Sequence, residues 1–341
     1  MSSSRDIGLL VNYTHSYIVS KALFTACELG IFDALSQCEV PMSAAAVAER
    51  LGTNADGTER LMSACVGMKL LEVEIQNDQV TYKNTELSQV YLTKNSPKSL
   101  HPTIDFISKD MYPMANHLTD AVREGKCQYE KVIGMSSKEF FNCLFRSEER
   151  MLGFINYLHS FWNIYGKEDV ISAFDLTPFH TICDLGGCSG TLARELSSKY
   201  PESHIFVYDL PAVVEVVKKY ADNNHVHFEQ GNFFEDPLPD ADLYVLAHII
   251  HDWPEDKCLH LLKKVFTTCK PGGGVLIVEA VLNEDRSGPL VSQMQNLSML
   301  LQTEGKERTS SEFESLLKAA GFENIKFNIK GNLSEAILAL K

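Results

Sequence analysis

The chain has 341 residues, enough for two domains, and 45% of them are hydrophobic, enough for a substantial core. Its formal net charge of −14 argues against a nucleic-acid or anionic-membrane partner surface. No apolar run could span a bilayer, residues 1–12 lack a signal-peptide core, and the nine cysteines show no CxxC and no zinc spacing, so reduced thiols in a cytoplasmic protein are expected.

Residues 13–35 read as one long amphipathic helix. Val19, Ala22, Leu23, Ala26 and Cys27 share a face at helical spacing, and Leu29, Ile31, Phe32 and Leu35 carry the apolar content past Gly30. That is more apolar surface than a lone N-terminal helix needs, so partner helices are expected. Residues 42–92 read as a winged helix-turn-helix. Ser43 caps a helix ending near Gly52, Asn54 caps a second running to about Met68, and residues 71–75 and 80–83 alternate around a Gln76-Asn77-Asp78 turn. A DNA reader needs a row of phosphate contacts, and the second helix offers little beyond Arg60 and Lys69. The unit therefore reads as a dimerisation module. Residues 101–165 read as mostly helical, broken at Pro102 and Pro113, with an apolar stripe that runs from Phe140 and Phe145 through Met151 and Ile155 to Trp162.

From about residue 165 strands and helices alternate, the pattern of a mostly parallel sheet covered on both faces. Residues 181–185 form a short apolar strand carrying Asp184. Gly186, Gly187 and Gly190 allow a tight turn, residues 191–200 have helical spacing, and residues 205–208 form a second strand ending on Asp209. A dinucleotide site prefers Gly-x-Gly-x-x-Gly, but counted from Gly186 this chain has Cys188 and Thr191 at the second and third glycine positions. S-adenosylmethionine (SAM) carries an ammonium and a ribose diol, which suit an acid, a glycine turn and a second acid. An ordinary βαβ unit, with Asp209 capping the helix at 211–220, remains the alternative at this point. Further strands are expected at 226–230, 243–247 and 275–278, helices at 254–269 and 310–320, and late strands near 324–329 and 336–340. Asp184, Asp209, Asn232, His251 and Glu279 thus follow successive strand ends, where ligands of parallel sheets bind. Two of the polar residues have plain structural readings: Asn232 as a turn residue, and Asp252 as a helix N-cap with Glu255 three residues on.

HDW after the fourth strand, KPGGGVLIVEAVL and GKERTSSEFESLLKAAGF, together with ACELGIFDAL near the start and DLPAVVE after the second strand, resemble the small-molecule O-methyltransferases that dimerise through a winged-helix N-terminal domain. The resemblance covers nearly the whole chain. It implies an α/β fold with a Rossmann-like class I methyltransferase sheet at residues 166–341, an all-α and winged-helix dimerisation domain at 1–110, and a helical linker at 111–165. It implies a homodimer using SAM and no metal, with S-adenosylhomocysteine as product and a hydroxyindole or other phenol as acceptor.

Carried over residue by residue, His251 matches the family's general base, and Glu279 and Glu307 the carboxylates that flank it. Asp209 matches the acid on the ribose. Asn232, Phe233 and Phe234 match the segment beside the adenine, and Phe145 and Trp162 match aromatic positions near the cofactor. Asp252 and Gln302 match substrate positions. The chain departs from the pattern at Cys188 for glycine, Asn232 for aspartate, Phe145 for tyrosine, His248 for arginine at the cofactor, and Ser298 for asparagine at the substrate. A winged-helix regulator that binds SAM as a signal is the competing reading from another class.

Overall fold

A computed structural model describes residues 4–76, 78–134, 148–162, 167–220 and 226–341. Its contacts divide the chain into two units, Met1–Pro113 and Met114–Lys341.

In the first unit the single helix expected over 13–35 is two helices. Ser4–Leu29 stops at Gly30, whose φ of 79° is left-handed, and Ile31–Ser36 starts afresh. A left-handed residue cannot continue a right-handed helix, and glycine takes that conformation without a Cβ clash. The break turns Ile31, Phe32 and Leu35 onto Val47, Met62, Cys65 and Tyr82, while Ile7, Leu10, Tyr13 and Tyr17 stay exposed. The side chains of Ser43 and Asn54 accept from the amides of Ala46 and Gly57, so helices Ala44–Leu51 and Ala55–Gly67 begin where their caps predict. Strands β1 (Leu71–Gln76) and β2 (Gln79–Asn84) then pair antiparallel.

The prolines do not break the next stretch. Pro102 lies in the first turn of His101–Phe106, where its missing N–H would have no helical partner. Pro113 follows a π-helical turn, Ile107–Met111, the kind of local widening that absorbs a lost helical hydrogen bond.

The second unit holds β3 (Thr181–Leu185), β4 (His204–Asp209), β5 (His227–Gln230), β6 (Leu243–Ala247), β7 (Gly274–Glu279), β8 (Val281–Leu282), β9 (Arg308–Thr309), β10 (Glu323–Asn328) and β11 (Glu335–Leu340). Seven strands form one sheet in the order β10-β11-β7-β6-β3-β4-β5, and β8 and β9 pair separately and parallel. Pairing is parallel from β5 to β7, and β11 runs antiparallel to both β7 and β10.

Period-two alternation sorts the strand residues between two cores. Ile182, Val207, Val245 and Leu276 pack on Leu192, Leu196 and Val213, from helices Thr191–Lys199 and Pro211–Tyr220. Cys183, Phe206, Leu246 and Ile277 pack on Leu261, Val265, Phe313 and Leu317, from helices Glu255–Thr268 and Ser310–Ala320. The chain enters at β3, builds outward through β4 and β5, and returns to β6 on the other flank. The topological switch point therefore lies between β3 and β6, the usual ligand position of such sheets.

Helix Leu290–Gln302 escapes a periodicity reading. It buries Ser292, Met299 and Leu301 and exposes Leu290, Val291 and Met294, so its apolar residues make no single stripe.

Candidate functional site

The ends of β6 and β7 meet through one carboxylate. Glu279, wholly buried at the end of β7, accepts at Oε1 the amides of Ile249 (3.0 Å), Ile250 (2.7 Å) and His251 (3.3 Å). Those amides open a short 3-10 turn, Ile250–Asp252, entered through His248 in the left-handed region at φ 54°. The turn presents His251, 6% exposed, whose Nδ1 lies 2.8 Å from Glu307 Oε1 and 3.3 Å from Glu279 Oε2. Glu307 is brought there by the β8–β9 pairing, which sets Val281 beside Arg308. Its backbone N–H is held by Asn296 Oδ1 at 3.0 Å, from helix Leu290–Gln302.

Asp252 lies with its Oδ1 3.7 Å from His251 Nε2. It is not a helix cap: the next helix has Pro254 as its N-cap, because the 3-10 turn ends at Asp252 and the chain extends through Trp253 before the helix begins.

Burial raises the carboxyl of Glu279 to about 7 and that of Asp252 to about 6. Burial alone would lower the His251 pKa, but the charges of Glu279, Glu307 and Asp252 outweigh it and hold the ring well above its ordinary value. His248 goes the other way. Burial first, and the charge of His251 second, push it down to about 3, so it is neutral. Its Nε2 is 3.3 Å from Ser334 Oγ, and its ring stands against Phe161 at 5.4 Å, Trp162 at 5.6 Å and His251 at 5.5 Å between centroids.

At the end of β3 the arrangement is different. Asp184 is 1% exposed, and neither carboxylate oxygen takes a hydrogen bond from the described residues. Burial, and then the charge of Asp209, raise it to about 7. Asp209 accepts from the amides of Cys188 (2.9 Å) and Leu210 (2.7 Å), and burial still raises it to about 6. The first two glycines of the turn between them have no room for a Cβ. A Cβ on Gly187 would stand 2.4 Å from Asp184 Oδ2, and one on Gly186 would stand 2.6 Å from Ile249 Cδ1 and 3.6 Å from Phe233. Cys188 nonetheless takes a left-handed φ of 48°, a conformation that favours glycine.

Asn232 accepts the Phe234 amide at 2.9 Å and so serves the turn it was also read as. Phe233 and Phe234 lie ring to ring at 4.8 Å, with Trp253 against Phe234. Ser298 and Gln302 stand four residues apart, hence on one face, of helix Leu290–Gln302. Phe145 lies outside the described residues.

One contributor gave little signal in the sequence. Arg308, 2% exposed, donates to the carbonyls of Ile250 (3.0 Å), Trp253 (3.3 Å) and Lys306 (3.1 Å), bracketing the His251 turn. Cys258 Sγ reaches Ile250 O from the other side at 3.2 Å. Gly305 lies so close that a Cβ would meet the His251 carbonyl at 2.0 Å. The hint was positional: Arg308 sits between Glu307 and Thr309, the side-chain cap of helix Ser310–Ala320.

Residues 115–323 match the O-methyltransferase domain, and residues 11–94 match the O-methyltransferase dimerisation domain. The acetylserotonin O-methyltransferase of Gallus gallus is 48% identical over the full length of both chains, and that of Homo sapiens 45% identical over the full length of both. The crystal structure of human N-acetylserotonin methyltransferase in complex with SAM superposes with a TM-score of 0.95 at 45% identity, covering 100% of this chain and 99% of that one.

Proposed function

The chain belongs to the O-methyltransferase family that carries its own dimerisation domain, and from that premise we propose that it transfers a methyl group from SAM to the 5-hydroxyl of N-acetylserotonin, giving melatonin. The glycine turn fits SAM. Asp184 is a buried acid with no hydrogen-bond donor among the described residues, and the glycines beside it let its carboxylate and the Ile249 side chain pack directly against the turn backbone. In this reading Asp184 receives the ammonium group, Asp209 the ribose diol, and Asn232, Phe233 and Phe234 the adenine, with Trp162 and His248 beside them. When bound, SAM supplies a methyl group on a positively charged sulfur.

The observation that carries the proposal is the 2.8 Å contact between His251 Nδ1 and Glu307. It keeps a proton on Nδ1 and leaves Nε2 as the basic nitrogen. An ordinary histidine pKa of about 6.5 against an acceptor hydroxyl of about 10 makes full proton transfer cost about 5 kcal/mol. The raised pKa of His251 narrows that gap, so Nε2 takes the proton as the new bond forms. Glu279 fixes the turn, and Asp252, Ser298 and Gln302 hold the acceptor. Alignment can contribute roughly 7–11 kcal/mol, more than the base itself.

The working unit is a homodimer. The dimerisation domain and the exposed Ile7, Leu10, Tyr13 and Tyr17 of the first helix support it. The test is turnover with labelled SAM across hydroxyindoles, catechols and flavonoid phenols. N-acetylserotonin should give the highest kcat/KM, and a catechol or flavonoid ahead of it would overturn the assignment.

A further inference from the structure

His248, His251 and Glu279 bring one ligand atom each to within 4.8 Å of the others, a group singled out among the described residues. Its centre is Glu279 Oε2. That oxygen is wholly buried and takes no hydrogen bond from the described residues, while its twin Oε1 accepts three amides. It is faced by His251 Nδ1 at 3.3 Å and His248 Nδ1 at 4.0 Å. The other nitrogen of His248 is held by Ser334, so Nδ1 is the one turned to the carboxylate. A ligating histidine anchored through its far nitrogen is the usual outer-shell arrangement of metal sites. Two ligands at about 2.1 Å from zinc, at tetrahedral angles, stand about 3.4 Å apart. The His251–Glu279 pair already has that spacing. The His248–Glu279 pair needs to close by a little over half an ångström, and Glu307 Oε1, 2.8 Å from His251 Nδ1, needs to draw back by about as much to serve as a fourth ligand.

We propose that His248, His251, Glu279 and Glu307 form a binding site for a zinc-class divalent cation, and that its occupation switches the enzyme off. The cation takes Nδ1 of the neutral His251 ring, and the proton held there passes through solvent to Nε2. The neutral ring then carries its one proton on Nε2, the nitrogen that must accept one during turnover. Inhibition is therefore a tautomer exchange, and acceptor binding need not be blocked. The switching half rests on His251 being the base, and the binding half does not.

The experiment is a titration of the metal-stripped full-length protein with cobalt(II), followed by zinc. The expected result is one equivalent of cobalt with the visible absorption of tetrahedral nitrogen and oxygen ligation, displaced by zinc. His248→Gln should weaken zinc by at least about tenfold, with its unfolding curve in chelator as the control for folding. A sulfur-to-cobalt charge-transfer band, meaning that cysteines hold the metal, or no bound cobalt at all, overturns the proposal on the wild-type protein alone. Zinc affinity unchanged in a folded His248→Gln overturns it too. Turnover in the same titration should fall with occupancy and return with chelator. One equivalent bound at these ligands with turnover intact keeps the site and overturns the base assignment, whereas absence of turnover without metal leaves the spectral test in force.

Discussion

Glu279 and Asp184 sit at the ends of two strands of one sheet, both almost wholly out of water, and the protein treats them differently. Around Glu279 it supplies three amides, an imidazole and a neighbouring turn clamped by Arg308. Around Asp184 none of the described residues gives a hydrogen bond to either oxygen. The first region is organised by the chain alone, before any ligand arrives. The second is left without a hydrogen bond, and in the proposed function the ammonium group of SAM completes it. A preorganised charge serves catalysis because nothing has to rearrange during the reaction, and an uncompensated one serves binding because a ligand relieves it.

Mutations should separate the two regions. His251→Ala should slow turnover by about 10²–10⁴-fold while SAM binding stays close to wild type. Single-turnover rates and calorimetry on the same samples check this, and a mutant with full turnover removes His251 from its role. Arg308→Lys leaves the charge but cannot span three carbonyls. Loosening the turn should lower kcat by up to about 10²-fold, with KM for SAM little changed. Equal losses in both constants would mean that Arg308 supports the fold and not the base.

At the other strand, Asp184→Asn should weaken SAM binding yet stabilise the unligated protein by about 1–3 kcal/mol. The sign follows from linkage. Burial raises the folded-state pKa from 3.8 to about 7, so the folded protein keeps a proton that the unfolded chain releases. Wild-type stability from this group therefore falls between about pH 4 and pH 7, and the advantage of the variant grows across that window. Melting curves at both ends, with and without SAM, read it out. SAM affinity should also decline as pH drops below about 7, where Asp184 takes up its proton.

The smallest effect is expected at Cys188→Gly. A left-handed non-glycine residue costs about 1–2 kcal/mol, and glycine gives back about 0.5–1 kcal/mol in unfolded-state entropy. Denaturant midpoints should therefore rise slightly. A fall of more than about 1 kcal/mol would mean that packing of the thiol in the core under the glycine turn outweighs the strain.

Local patterns in the sequence determined a good deal. Ser43, Asn54 and Pro211 start helices where expected, because a cap or a preset φ acts within one turn of chain. The strands of the sheet, and the polar residues that close them, follow from short continuous apolar runs, which are equally local and mark strands buried on both faces. The π turn before Pro113 and the mixed-face helix that ends at Gln302 were not readable, because a π widening has no residue signature of its own and the helix is covered by neighbours distant in sequence. Nor could spacing alone show that Arg308 grips the turn carrying His251, fifty-seven positions earlier, or that Asp184 is left without a partner. Both depend on where a carbonyl or an amide lies after β3, β6, β7 and the β8–β9 pair have come together. Residue types and periods were enough to choose most of the elements, but the electrostatic state of a buried charge is the sum of everything packed around it, and that sum exists once the sheet has formed.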